Sequence, residues 1–234
     1  MVDKKQQINI FWFRQDLRLT DNPGLNFVAS KGPFMPIYIF DTVNPKKCLI
    51  GAASKMWLHH SLKNLGENLS KTLSFYLGNP QEIFDTLTRH YEIETIAWNR
   101  CYEPWRIKRD TSLKAALEKK GIEVKTFNAS LLWEPWQIAK GDGTPFKVFT
   151  PFYKKGCLGA EPPRTPLPKP KKIQGVKEKK YSISLDKLSL LPTGEGWDQR
   201  VLSHWDIGES GAKKSLAKFL KEGLSDYKEG RNFP

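Results

Sequence analysis

Between residues 8 and 128 the sequence changes hydrophobic period again and again. Apolar runs of strand length stand at 8–13 (INIFWF), 33–41 (PFMPIYIFD), 73–78 (LSFYLG), 94–98 (ETIAW) and 123–127 (EVKTF). Such short runs, bounded by charge, suit strands buried on both faces. Helical patterns fill the gaps. Leu58, Leu62, Leu65 and Leu69 share one stripe over 52–69, QEIFDTLTRHY (81–91) reads as a helix, and 103–120 as a charged one. Pro23 suits a first helical position, with Asp21 or Asn22 as its cap. This alternation predicts an α/β fold: a doubly wound, five-stranded parallel sheet with helices on both faces, since crossovers between parallel strands are right-handed.

After Ala129 the alternation stops. A turn at Asp142-Gly143 leads into an aromatic-rich stretch, and residues 159–180 hold five prolines, seven basic residues and two acidic ones. That composition builds no core and reads as an extended connector. The expected division is therefore 1–135, an α/β domain; 136–200, an irregular extension and Pro/Lys-rich linker; and 201–234, the start of another unit. In that last part Ala212, Leu216, Leu220, Leu224 and Tyr227 form a helical stripe opposite Lys213, Lys214, Lys218 and Lys221. Such a stripe needs cover. It either packs back on the first domain or opens a helical domain of its own.

Charge narrows the partners. The formal net charge of +13 on 234 residues fits a polyanion, most simply nucleic acid. The connector supplies five of those charges, which weakens the inference for the sheet domain. Three cysteines without metal-ligand spacing make a reduced, cytoplasmic compartment the default, and no apolar run approaches membrane-spanning length, so no membrane partner is expected. No glycine-rich dinucleotide or P-loop motif follows a strand. His59 and His60, adjacent on one helix, cannot chelate a metal together and read as packing or surface residues. Trp12, Trp57 and Trp98 read as core.

Two charged strand ends stand out. FWFRQDLRLTDNP (11–23) puts Arg14, Asp16, Arg18 and Asp21 after the first strand, and WNRCYEPWRIKRD (98–110) puts Asn99, Arg100 and Glu103 after the fourth. Open α/β sheets bind ligands at such carboxyl edges. Arg14 and Asp16 either organise a crevice there or simply pair to fix a loop. Arg18 and Asp21 favour the second role. Asn99, Arg100 and Glu103 either wall a pocket or start a well-capped helix.

Together with IYIFD, GAASKMWLHHSLKNL, VFTPFYK and GESGAKKSLAKFLKEGLSDYKEGRNFP, these two motifs occur in the order found in DNA photolyases and cryptochromes, a family this chain resembles over nearly its whole length. The resemblance implies the N-terminal antenna domain of a class I-like deoxyribodipyrimidine photolyase, followed by a linker and the first helix of an all-α domain that binds FAD and DNA. It also implies that the chain is cut before most of that domain and is inactive alone. Antenna candidates are then Arg14, Phe40, Asp41, Lys55, Asn99, Arg100 and Glu103. Tyr227 would meet the FAD phosphate-ribose region, and Arg231 the DNA backbone. Folate-antenna photolyases show an Asn-Glu pair where this sequence has Trp105 and Arg106, so a deazaflavin or flavin antenna is favoured over methenyltetrahydrofolate. The implied reaction is light-driven splitting of pyrimidine dimers in DNA by reduced FAD. The rival readings are a cryptochrome-type light sensor and a freestanding nucleotide- or flavin-binding module.

Overall fold

The computed structural model describes residues 5–46, 48–194 and 196–233. Five strands, β1 (Gln7–Phe13), β2 (Phe34–Phe40), β3 (Ser74–Leu77), β4 (Glu92–Asn99) and β5 (Glu123–Phe127), form one parallel sheet in the order β3-β2-β1-β4-β5. Helices α1 (Pro23–Lys31), α2 (Ala52–Asn68), α3 (Pro80–His90) and α4 (Pro104–Glu118) connect them. The expected doubly wound architecture is present.

Side-chain alternation along the strands sorts the core into two layers. Ile8, Ile10 and Trp12 of β1 join Phe84 and Leu87 of α3 and Leu113 and Leu117 of α4. Phe11 and Phe13 face the other way, against Leu25 and Val28 of α1 and Leu62 and Leu65 of α2. Trp12 and Trp98 are fully buried and meet edge-to-face at 5.6 Å. Trp57 departs from expectation. The buried face of α2 is set by Met56, His59, Leu62 and Leu65, which turns the neighbouring Trp57 outward, 39% exposed.

Of the two candidate caps for α1, Asn22 serves: its side chain accepts from Leu25 N–H at 3.0 Å. Asp21, in the left-handed region at φ 49°, instead accepts from Arg164 and from Leu167 N–H.

The connector is a strap laid along the domain. Asp21 N–H donates to Leu167, Phe34 N–H to Gln174, and Val176 N–H returns to Phe34. Further on, Ile183 bridges antiparallel to Phe75, and Leu188 and Leu190 sink into the layer under α1 and α2. Glu178 is its anchor. It is 1% exposed and accepts from the backbone N–H groups of Lys180 (2.7 Å), Tyr181 (2.9 Å) and Ser182 (2.5 Å) and from the hydroxyls of Tyr76 and Tyr91. Burial opposes its charge, but those donors hold the carboxyl below the usual range. Burial and Glu178 together push the Tyr91 phenol up to about 12.

After a short helical turn α5 (Phe149–Pro151) and helix α6 (Trp197–Leu202), the chain enters α7 (Glu209–Lys218). A π-helical stretch follows at Phe219–Gly223, then α8 (Tyr227–Gly230). The interruption coincides with Gly223, a poor helix former that lies against the Phe219 ring. Leu216, Leu220, Leu224 and Tyr227 are exposed, so the apolar stripe does not pack on the sheet domain.

Replacing Glu178 by Ala leaves five donors without their acceptor, the buried Tyr76 hydroxyl among them. Urea unfolding is expected to show a loss of roughly 3 kcal/mol, and limited proteolysis to cut faster within residues 174–184. Glu178→Gln, which keeps one acceptor oxygen, should fall between the two.

Candidate functional site

A cavity of about 570 Å³ opens over the carboxyl ends of β1 and β2, between the N-terminal halves of α2 and α4. Trp12, Tyr38, Phe40, Trp57 and Trp105 give it aromatic walls, and Arg14, Asp41, Arg106 and Arg109 give it charge. The charges form a chain. Arg14 pairs with Asp110 at 2.5 Å; Arg109 reaches Asp110 with Nε and Nη2 at 2.9 and 2.8 Å and Asp41 with Nη1 at 2.9 Å. All four side chains are nearly buried. Asp41 is itself fixed by donors from Val43, Asn44 N–H and the Asn44 amide.

The guanidiniums also lie on indoles. Arg14 and Arg109 stand 4.7 and 5.0 Å from the Trp12 ring centre, and Arg106 and Arg109 stand 4.7 and 5.2 Å from that of Trp105. Nε and Nη1 of Arg14 have no hydrogen-bond partner; contact with the π face of Trp12 replaces one. Burial opposes the Arg14 charge, yet Asp110 and Cys101 beside it raise its pKa above the ordinary value. Burial drives the Tyr38 phenol strongly upward despite nearby Arg106, so it faces the cavity as a neutral hydroxyl.

Arg14, Phe40 and Asp41, three of the antenna candidates, line this cavity; Lys55, Asn99, Arg100 and Glu103 do not. Asn99 is wholly engaged elsewhere. Its Nδ2 donates to Asp16 and, at 2.7 Å, to Asn22, while its Oδ1 accepts from Gly24 N–H at 3.1 Å. A Cβ on Gly24 would stand 2.8 Å from Asn99 Oδ1, so only glycine lets α1 start this close. Arg100 turns to the opposite side, where Nε pairs with buried Glu134 at 2.6 Å and Nη1 donates to Thr126, beside a separate cleft of about 490 Å³. Glu103 accepts from Gln15 at the rim. Arg18 holds the carbonyls of Thr20, Asp21 and Ala129, the loop-fixing role expected of it.

Trp57, Trp105, Arg106 and Arg109 were not singled out from sequence as walls. For the three on α4 a signal was present: Trp105 and Arg109 are i,i+4 neighbours on a helix starting at a strand's carboxyl end, and the guanidinium lies over the indole. Tyr227 and Arg231 lie together on an exposed surface, 5.9 Å apart, and line none of the three cavities described. His59 is buried packing, as expected of it. Among the described residues no group of three His, Cys, Asp or Glu could hold a metal, and no helix is long and apolar enough to cross a membrane.

The start of α7 closes one side. Glu209 accepts from Leu19 N–H at 2.8 Å and Thr20 N–H at 3.1 Å, and pairs with Lys213. Burial alone would raise its carboxyl, but Lys213 and these donors bring it down to about 2.

Three outcomes are expected. Asp110→Asn removes the charge shared by two buried arginines and should cost about 3–5 kcal/mol in urea unfolding. Lys114→Ala, at an exposed i,i+4 pair with Glu118, should change stability by less than about 0.5 kcal/mol. Because Glu209 is depressed in the folded state, its contribution is complete above the ordinary carboxylate range and fades as pH falls towards 2. The amide resonance of Thr20 should report that release on acid titration and stay flat in Glu209→Gln.

Comparison with known proteins fits this geometry. The DNA photolyase family model matches residues 9–171. The chain is 36% identical to a deoxyribodipyrimidine photo-lyase of Agrobacterium fabrum, over 96% of this chain and 47% of that protein. It is 32% identical to Cryptochrome-2 of Arabidopsis thaliana, over 97% and 38% respectively. A crystal structure of a bacterial class III photolyase from Agrobacterium tumefaciens superposes with a TM-score of 0.87 at 35% identity, covering 99% of this chain and 48% of that one. The chain thus spans about half the length of these photolyases. It belongs to the DNA photolyase family, which its relatives show to include the cryptochromes.

Proposed function

We propose that this chain is the light-gathering part of an enzyme that repairs ultraviolet-induced pyrimidine dimers in DNA. The observation that carries the reading is the aromatic-walled cavity at the carboxyl edge of the sheet, in a chain of this family. Its size suits one heteroaromatic molecule. Trp57, Trp105 and Phe40 offer faces for a planar ring to stack on. Arg106 and the Tyr38 hydroxyl line the cavity and can meet carbonyl or anionic groups, while Arg109, its donors spent on Asp110 and Asp41, keeps the wall in place. This donor set fits a flavin or deazaflavin. Trp105 and Arg106, replacing the Asn-Glu pair, argue against methenyltetrahydrofolate held as in folate-antenna photolyases. When bound, such a chromophore supplies absorption of near-ultraviolet or blue light. The chain's own residues hold the ring flat, exclude water from it and keep counter-charges fixed.

Repair itself needs reduced FAD, and the resemblance assigns most of that site to a helical domain. Tyr227 would contribute one contact to the flavin, and Arg231 one to the DNA backbone. Both side chains are accessible for such roles. Three free cysteines agree with a reducing cytoplasm. The second reading, a cryptochrome-type sensor, is supported by the identity to Cryptochrome-2. A freestanding binding module is disfavoured by the uncovered stripe of Leu216, Leu220 and Leu224.

The test is an absorption spectrum and mass analysis of the small molecule that copurifies. The expected result is a planar heteroaromatic, without stoichiometric FAD, that is lost in Trp105→Ala. A preparation of the chain with bound FAD and no second chromophore would refute the assignment. Binding of this chain to DNA should be weak, indifferent to dimers, and steeply reduced by salt, coming mainly from the lysines of the strap.

A further inference from the structure

One wall of the cavity comes from outside the sheet domain proper. Gly208, Glu209 and Ala212 line it together with Trp57, Leu58 and Ser61 of α2 and Gln15, Leu17 and Arg18 of the β1–α1 loop. The segment 205–213 is fastened at both ends. On the α2 side the Trp205 ring meets Trp57 edge-on at 5.6 Å. There too Gly208, at φ 117°, lies so close to Asn64 that any Cβ would collide with the amide. On the loop side Glu209 takes the N–H groups of Leu19 and Thr20, and Lys213 donates to the Thr20 hydroxyl at 2.7 Å. The segment therefore runs from one cavity wall to the other.

We propose that residues 205–213 are a clasp over the chromophore cavity, with Glu209 as its positioning residue, so that occupancy of the cavity and seating of α7 are coupled. This rests on the chromophore reading above. A ring stacked on Trp57 touches the indole that Trp205 holds, and any contact with Glu209 or Ala212 exists only while the clasp is seated. By linkage, the ligand must then strengthen seating by the same factor as seating strengthens the ligand. The exposed apolar residues Leu216 and Leu220 follow directly, so whatever covers them is attached to an element that registers whether the cavity is filled.

The test uses riboflavin 5′-phosphate as probe on the whole chain, followed by quenching of flavin fluorescence in stopped flow. Glu209→Ala is expected to raise the dissociation rate about tenfold and leave association within about twofold, since a closing element acts on escape. Glu209→Gln should recover part of that loss. Saturating probe should slow amide exchange at Leu19 and Thr20 about tenfold in the parent chain and not in Glu209→Ala. Trp205→Ala attacks the other fastening through an exposed side chain and should also speed release, which keeps the test open if the Glu209 variants fold poorly. Equal dissociation rates in parent and folded variants overturn the clasp and leave the chromophore reading standing. No binding by the parent chain overturns the flavin reading and the clasp with it.

Discussion

Asp110 is the residue on which the cavity depends. Two buried guanidiniums, Arg14 and Arg109, share its carboxylate, and Asp41 takes the remaining donor of Arg109. A buried arginine without a carboxylate would carry an uncompensated desolvation cost of several kcal/mol. With Asp110 present, charge is balanced across the ends of β1 and β2 and the first turns of α4. The cations then rest on Trp12, which meets Trp98 and Phe84 in the interior. The cavity wall is thus continuous with the core, and its cationic edge is held in place before any ligand arrives.

A second polar cluster decides where the cavity lies. In a doubly wound sheet the usual ligand crevice is the junction where strand order reverses, here between β1 and β4. That junction is closed. Asp16, Asn22 and Asn99 fill it with mutual hydrogen bonds, and Gly24 brings α1 hard against them. Open space is left on the β1–β2 side, where Tyr38 and Phe40 replace polar groups. The charged motif after the first strand therefore divides its work: Asp16 seals the junction, Arg18 ties the loop, and Arg14 reaches the cavity.

The sheet, its winding and both buried tryptophans were legible because each depends on local period and on the handedness of crossovers. Asn99 and Arg100 stand at a strand end and Glu103 opens the next helix, as their sequence positions indicate, but such positions do not reveal which way a side chain turns. That is decided by partners distant in sequence, Asp16 for one and Glu134 for another. Trp57 was misread because an aromatic beside an apolar stripe looks like core, whereas helix phase turned it outward. Glu178 left no sequence signal at all: one acidic residue among lysines resembles a solvated charge, and its meaning depends on Tyr76 and Tyr91 far upstream.

The strap shows why composition alone misled. Prolines and lysines that cannot build a core can still follow one, because an extended backbone needs only occasional partners. Leu167 meets Asp21 beside α1, Gln174 and Val176 meet Phe34, Ile183 meets Phe75, and Leu188 and Leu190 fill the layer beneath α2. Each contact shortens the free loop that remains. Lengthy loops cost little more entropy than short ones to close, so what matters is the orientation delivered at the end. Here the route ends at Trp205 against Trp57, one side of the cavity. A freely mobile linker would bring α7 there only occasionally; a strap pinned at four places brings it to a defined position. The Pro/Lys-rich stretch is therefore part of the site, because it determines where the last wall stands.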